Sequence, residues 1–260
     1  MAKYIKIKGI KTHYIDKGSG DIVLVLHGWG SCIKEWTKVH NELNERGFRV
    51  IALDLPGSGE TEDPKRPMRL GDFSEFVHEF TQKINIQYFA LLGHSFGGRI
   101  AVDYATRWSN QLRALILVSA AAAVQHPRIR TFAYLILSRF LDTILFHPKL
   151  KEYRKKLGKA WIIASGQNTH RELSPVMQRS LKLSVSNNLR PYFPNITTPT
   201  LLIWGDKDTT VPISDAFLIH KSIPLTHLHI LPDLRHNLHL RAPVEIAKNT
   251  AYFLNNTPHE

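Results

Sequence analysis

The sequence predicts an α/β fold: a mostly parallel, eight-stranded sheet with helices on both faces, broken by one inserted helical segment. Three observations lead there. Over most of the 260 residues the apolar pattern switches back and forth between a period of two and a period near 3.6. Several apolar runs are continuous rather than alternating, as strands buried on both faces require. From 121 to 190 the strand rhythm stops and only helix-like stretches remain.

Taken in order, residues 4–8 and 11–15 read as two N-terminal strands joined through Gly9. Ile22-Val23-Leu24-Val25-Leu26 is an unbroken apolar run, hence a buried strand. A helix over 33–46 follows and stops at Gly47, and 48–53 is the next strand. Leu70 to Asn85 is helical, with Phe73, Phe76, Val77 and Phe80 at three- and four-residue spacing. Residues 88–92 and 112–119 are further buried strands on either side of a helix near 99–107. After the interruption come a strand at 200–204, a helix at 213–222, a strand at 226–231 and a last helix at 244–254. Repeated β-α units of this kind imply a parallel sheet covered on both sides.

The domain division that follows is a core of 1–120 and 191–260 with a helical cap of 121–190. Within the cap, helices are expected at about 128–146, 149–165 and 175–187, punctuated by Pro127, Pro148 and Pro175. This segment holds thirteen Lys or Arg against three Asp or Glu, and so carries ten of the chain's twelve net positive charges. Such an excess can draw anionic substrates, acidic lipid surfaces or nucleic acid, or simply solvate a face. The bland reading is preferred; nucleic acid is not an expected partner, and membrane-surface contact is the lesser alternative. The N-terminus lacks an apolar signal-like stretch, and the single cysteine, Cys32, cannot form an internal disulfide. Both features fit a cytoplasmic protein.

The chemistry centres on Gly93-His94-Ser95-Phe96-Gly97-Gly98, between a predicted strand and a predicted helix. A sharp strand-to-helix turn strains the serine backbone and lifts its hydroxyl above the sheet edge. The residues two before and two after it then crowd together, and both are glycine. A serine hydroxyl needs a base to take its proton, and that base is best a histidine held by a carboxylate. Partners should lie in loops at the carboxyl ends of strands. After strand 200–204 two aspartates compete; Asp206 should organise the turn, and Asp208, extending further, is the expected orienting acid. After the last strand, His236 lies early enough to reach the sheet edge, whereas His239 is a decoy. The oxyanion of a tetrahedral intermediate needs preformed donors. The backbone N–H of Phe96 and of Trp29, in the loop His27-Gly28-Trp29-Gly30, are the candidates. His27 and His94 are read as structural, fixing their loops. Asp54-Leu55-Pro56-Gly57-Ser58-Gly59 is a tight loop without the Lys-Ser or Lys-Thr of a phosphate cradle.

On these residues, with Trp204-Gly205-Asp206-Lys207-Asp208, Pro212, His236, the following His239-Leu240 and Pro243, the chain resembles the α/β-hydrolase superfamily, in particular its capped serine ester hydrolases, the carboxylesterase-like branch. The order Ser95, Asp208, His236 matches the family order. The resemblance implies a cofactor-free, metal-free hydrolase of small to medium acyl esters or lactones working through an acyl-enzyme. Serine at the elbow argues against haloalkane dehalogenases and epoxide hydrolases, which usually place an aspartate there. Relatives that hydrolyse carbon–carbon bonds of ring-fission products share the layout but often carry Trp after the histidine, where this chain has Asn237. A non-catalytic ligand receptor on the same scaffold is the alternative from another class.

Overall fold

The computed structural model of the chain describes residues 2–123 and 174–258. Its eight strands are β1 (Lys3–Ile7), β2 (Ile10–Lys17), β3 (Ile22–Leu26), β4 (Arg49–Leu53), β5 (Phe89–His94), β6 (Leu112–Val118), β7 (Thr200–Gly205) and β8 (Thr226–Leu231). They form one sheet in the order β1-β2-β4-β3-β5-β6-β7-β8. The β1–β2 and β2–β4 pairings are antiparallel and the other five parallel. The first hairpin turns on Lys8 and Gly9, both at positive φ, the backbone that a two-residue hairpin demands.

Seven helices are described: α1 (Thr37–Glu45), α2 (Leu70–Lys83), α3 (Phe96–Arg107), α4 (Pro175–Val185), α5 (Ile213–Ser222), α6 (Leu238–Arg241) and α7 (Pro243–Asn256). Strand side chains alternate between two cores. Leu24 and Leu26 of β3 pack with α2, α3 and α5 on one face, while Val23 and Val25 pack with α1 and α7 on the other. The predicted helix over 33–46 is two pieces, a 3-10 turn at Ile33–Trp36 and then α1. It stops where expected, at Gly47 with φ +86°.

The predicted cap helices at 128–146 and 149–165 lie outside the described residues. The third is α4, with Pro175 at its first turn and Ser174 accepting a hydrogen bond from the Met177 N–H. Two serines on its buried face stitch it to the segment before α2. Ser180 Oγ accepts from the Met68 N–H at 2.9 Å, and Ser184 Oγ donates to the Met68 carbonyl at 3.4 Å. From α3, the buried Arg99 donates to the carbonyls of Ser184 (3.0 Å), Val185 (3.3 Å), Asn187 and Ala121 (2.9 Å). Two of these, Ser184 and Val185, are carbonyls that α4 leaves unpaired at its C-terminus. Among the described residues no helix is long and apolar enough to cross a membrane.

β3 is flanked by β4 on one side and β5 on the other, so successive crossovers leave it in opposite directions. The loops after β3 and β5 therefore part at the sheet's carboxyl edge and leave the crevice where open α/β sheets bind ligands. One carries Trp29 and the other Ser95.

Candidate active site

Ser95 joins β5 directly to α3 at φ +52°, ψ −112°, an outlying backbone for a residue with a side chain. Its place is fixed from both sides: its N–H donates to the Val118 carbonyl at 3.1 Å, and its own carbonyl accepts from Arg99 (3.2 Å) and Ala121 (3.0 Å). The crowding expected around the serine is present. A Cβ on Gly93 would lie 2.5 Å from the Gly97 carbonyl oxygen, and one on Gly97 would lie 2.3 Å from that of Leu26. Gly98 lets α3 pack tightly on β5, for a Cβ there would lie 3.0 Å from the Gly93 carbonyl oxygen. It also lets α3 close on Ala120, beyond β6, where the same Cβ would meet the Ala120 Cβ at 2.4 Å.

Three residues from distant parts of the chain meet at this point. His236 Nε2 lies 3.0 Å from Ser95 Oγ, and His236 Nδ1 lies 2.8 Å from Asp208 Oδ2. Asp208 can only accept through its carboxylate, which places the ring proton on Nδ1 and leaves Nε2 to accept from the serine hydroxyl. The other carboxylate oxygen, Oδ1, accepts from the N–H groups of Thr210 and Val211, both at 2.8 Å. Asp208 is 4 % exposed, whereas Asp206 faces solvent and enters the turn through its main chain.

Gly28 brings the loop after β3 against the serine; a Cβ there would lie 3.3 Å from that of Ser95. Phe96 is the first residue of α3, so its N–H has no intrahelical acceptor and faces the positive end of the helix. The Trp29 ring stands edge-on to Phe96, centroids 4.9 Å apart, and to Phe73 at 6.3 Å. The resulting cavity is lined by Gly28, Trp29, Glu35, Ser95, His236 and Asn237, among others.

The remaining histidines have partners that the sequence does not reveal. His27 is buried; its Nε2 accepts from the Leu55 N–H at 3.0 Å and its Nδ1 donates to the Gly28 carbonyl at 2.8 Å. Burial holds its pKa below the ordinary histidine value. His94 donates from Nε2 to the main-chain carbonyl of His236 at 3.1 Å and thereby fixes the loop carrying the base. Burial first, then His239 and His236, push its pKa well below the ordinary value. His239 stacks on Trp36, centroids 4.8 Å apart and planes 4° apart, and neither of its ring nitrogens is hydrogen bonded.

One residue at the heart of the assembly drew no attention in the sequence beyond its place in a tight loop. Asp54 is buried and accepts from Ile33 N–H (2.8 Å), Glu60 N–H (3.0 Å) and His13 Nδ1 (2.7 Å). Gly59, at φ +52°, leaves the room it needs, since a Cβ there would sit 2.1 Å from Asp54 Oδ2. The glycine at that position was the available signal.

Fold and site together define an α/β hydrolase, and the chain belongs to the alpha/beta hydrolase fold family, whose model matches residues 21–243. Among characterised relatives it is 26 % identical to the human serine hydrolase BPHL over 264 residues, covering 96 % of this chain and 85 % of that one. It is 24 % identical to the 2-hydroxy-6-oxo-6-(2'-aminophenyl)hexa-2,4-dienoic acid hydrolase of Metapseudomonas resinovorans, covering 98 % and 91 %. Among solved structures it is similar to a bacterial membrane phospholipase A, with a TM-score of 0.78, 25 % identity, and 99 % and 86 % of the two chains covered.

Proposed function

We propose that this protein is a cofactor-free serine hydrolase that cleaves carboxylic esters, small to medium acyl esters or lactones, through an acyl-enzyme. Ser95 Oγ attacks the ester carbonyl while His236 Nε2 takes its proton, and Asp208 steadies the imidazolium that results. The N–H groups of Trp29 and Phe96 receive the oxyanion. Collapse of the tetrahedral intermediate breaks the bond to the alkoxy oxygen, which leaves with the proton from Nε2. Water, deprotonated by the same imidazole, then attacks the acyl carbon and releases the carboxylic acid and free Ser95. The proposed division of the chain is a core of 1–120 and 191–260 with an insert of 121–190.

The observation that carries this reading is the unbroken hydrogen-bonded line from Ser95 through His236 to Asp208, ending on a serine in a strained backbone. The likeness to a serine hydrolase and to a phospholipase supports it. Hydrolysis of p-nitrophenyl esters by the wild type and by Ser95→Ala tests it. The substitution is expected to cost on the order of 10⁴–10⁶ in kcat, and an unchanged rate would refute the reading.

A second reading, hydrolysis of a carbon–carbon bond in a ring-fission dienoate, draws on the relative from Metapseudomonas resinovorans. The same three side chains would serve it. Release of a carboxylic acid from such a dienoate, faster than from simple esters, would favour it over ester cleavage.

A further inference from the structure

Among the described residues that line the cavity at Ser95, Glu35 is the only Asp, Glu, Lys or Arg. It stands on the 3-10 turn Ile33–Trp36, directly after the loop that carries Trp29. Its position is held from behind. The Ser31 hydroxyl donates to Oε2 at 2.6 Å, and His239 Nε2 lies 3.9 Å from the same oxygen. That separation is longer than a direct hydrogen bond. The His239 side chain is only 3 % exposed, whereas that of Glu35 is 25 % exposed and turned to the cavity. No lysine or arginine among the described residues forms an ion pair with Glu35; the basic group that faces it is the His239 imidazole. Burial pushes its pKa up, but His239 and Ser31 outweigh that and leave it below the ordinary glutamate value, so the group is ionised wherever a serine–histidine pair can work.

A fixed anion in a small, partly desolvated cavity acts on any charged group that enters with the substrate, and more strongly than it would in water. We propose that Glu35 is a specificity-determining residue of the ester hydrolase proposed above, disfavouring acyl groups that carry a carboxylate and favouring uncharged groups and those that end in an ammonium. The inference rests on that reading of the site. It runs against the alternative, set below the solvated-face reading, that the basic segment 121–190 draws anionic substrates. Long-range attraction to that segment changes encounter rates and is screened by salt, whereas Glu35 acts at the point of reaction. It also separates the two hydrolytic readings, because a ring-fission dienoate brings a carboxylate into this cavity.

Three near-isosteric ethyl esters, whose poor leaving group suppresses intramolecular ring closure, read the charge directly: pentanoate, 4-aminobutyrate and the hemiester of succinate. In the wild type at 0.15 M salt, kcat/KM for pentanoate is expected to exceed that for the succinate hemiester by roughly ten- to a hundredfold. The 4-aminobutyrate ester should lie at or above pentanoate. In Glu35→Gln the pentanoate-to-succinate ratio should fall by about tenfold or more. A ratio taken within one preparation does not depend on how much of the variant is folded. Equal turnover of pentanoate and succinate by the wild type overturns the inference without any variant, and so does an unaltered ratio in Glu35→Gln. Both results leave the serine hydrolase intact. If none of the three esters is hydrolysed, the ester reading falls and takes this inference with it.

Discussion

Two hydrogen-bonded carboxylate–imidazole pairs lie among the described residues, and they are close to the same object. Asp208 accepts two backbone N–H bonds and one from His236 Nδ1 at 2.8 Å. Asp54 accepts two backbone N–H bonds and one from His13 Nδ1 at 2.7 Å. Both aspartates are buried, 4 % and 2 % exposed, and each belongs to the loop that follows a parallel strand. The difference lies at the far side of the imidazole. His236 meets Ser95 Oγ, whereas the ring of His13 leans on Tyr4, centroids 5.3 Å apart. An oriented histidine is thus a common structural part, and in the proposed mechanism only the strained serine beside one copy makes it a reactive one. The other copy ties β2 to the loop after β3 and to residue 60.

The comparison breaks most sharply at the two acids. Asp208→Asn should lower kcat by about 10⁴, since the amide can donate to Nδ1 and turn the wrong tautomer toward the serine; thermal unfolding should move far less. Asp54→Ala should do the reverse. It strands two buried donors and one half-buried one, so a stability loss of about 3–5 kcal/mol is expected in urea titrations, with kcat of the folded fraction reduced less than tenfold. If Asp54→Ala proves as inactive as Asp208→Asn while remaining folded, the division into a reactive and a structural pair is wrong.

Imidazoles without a hydrogen-bonded carboxylate sharpen the contrast through pH. Burial lowers His27 and His94 below the ordinary value and brings His40, with both ring nitrogens unpartnered, down to about 3. In the unfolded chain these groups take up protons near pH 6.5, and in the folded one they resist. The unfolded state therefore binds more protons below that pH. For His40 the contribution should be complete above about 6.5 and fall as the pH drops toward 3, by about 1.4 kcal/mol per pH unit, and His27 and His94 act in the same direction. His40→Leu should remove one proton's worth of that slope, read from urea unfolding at pH 7, 5.5 and 4.5. The smallest effect belongs to the exposed Asp206. Asp206→Asn should leave kcat within twofold and stability within about 0.5 kcal/mol.

The elements that hold the site were legible in the sequence because each obeys a local rule. Continuous apolar runs marked the parallel strands, and Gly93, Gly97 and Gly98 marked the places where backbone meets backbone. The choice between Asp206 and Asp208 rested on reach along a loop, which one strand end and two residues suffice to estimate. Asp54–His13 was not legible, because its pairing spans 41 residues and no periodicity connects them. The bond from His94 to the His236 main chain was hidden for the same reason, across 142 residues. Glu35 escaped because a lone glutamate beside a tryptophan resembles any solvated helix start until the loop above it closes.

Arg99 gives α4 and the residues just after it a property that their sequence conceals. A guanidinium whose only hydrogen-bond acceptors among the described residues are carbonyls, four of them, cannot be left behind when those carbonyls depart, for the charge would then sit in a dry interior. The end of α4 and the early turns of α3 are clasped, and must come apart as one event. Amide protons in the two stretches should accordingly exchange at a shared rate, and a nick in the chain ahead of residue 174 should leave the severed limb seated where it is.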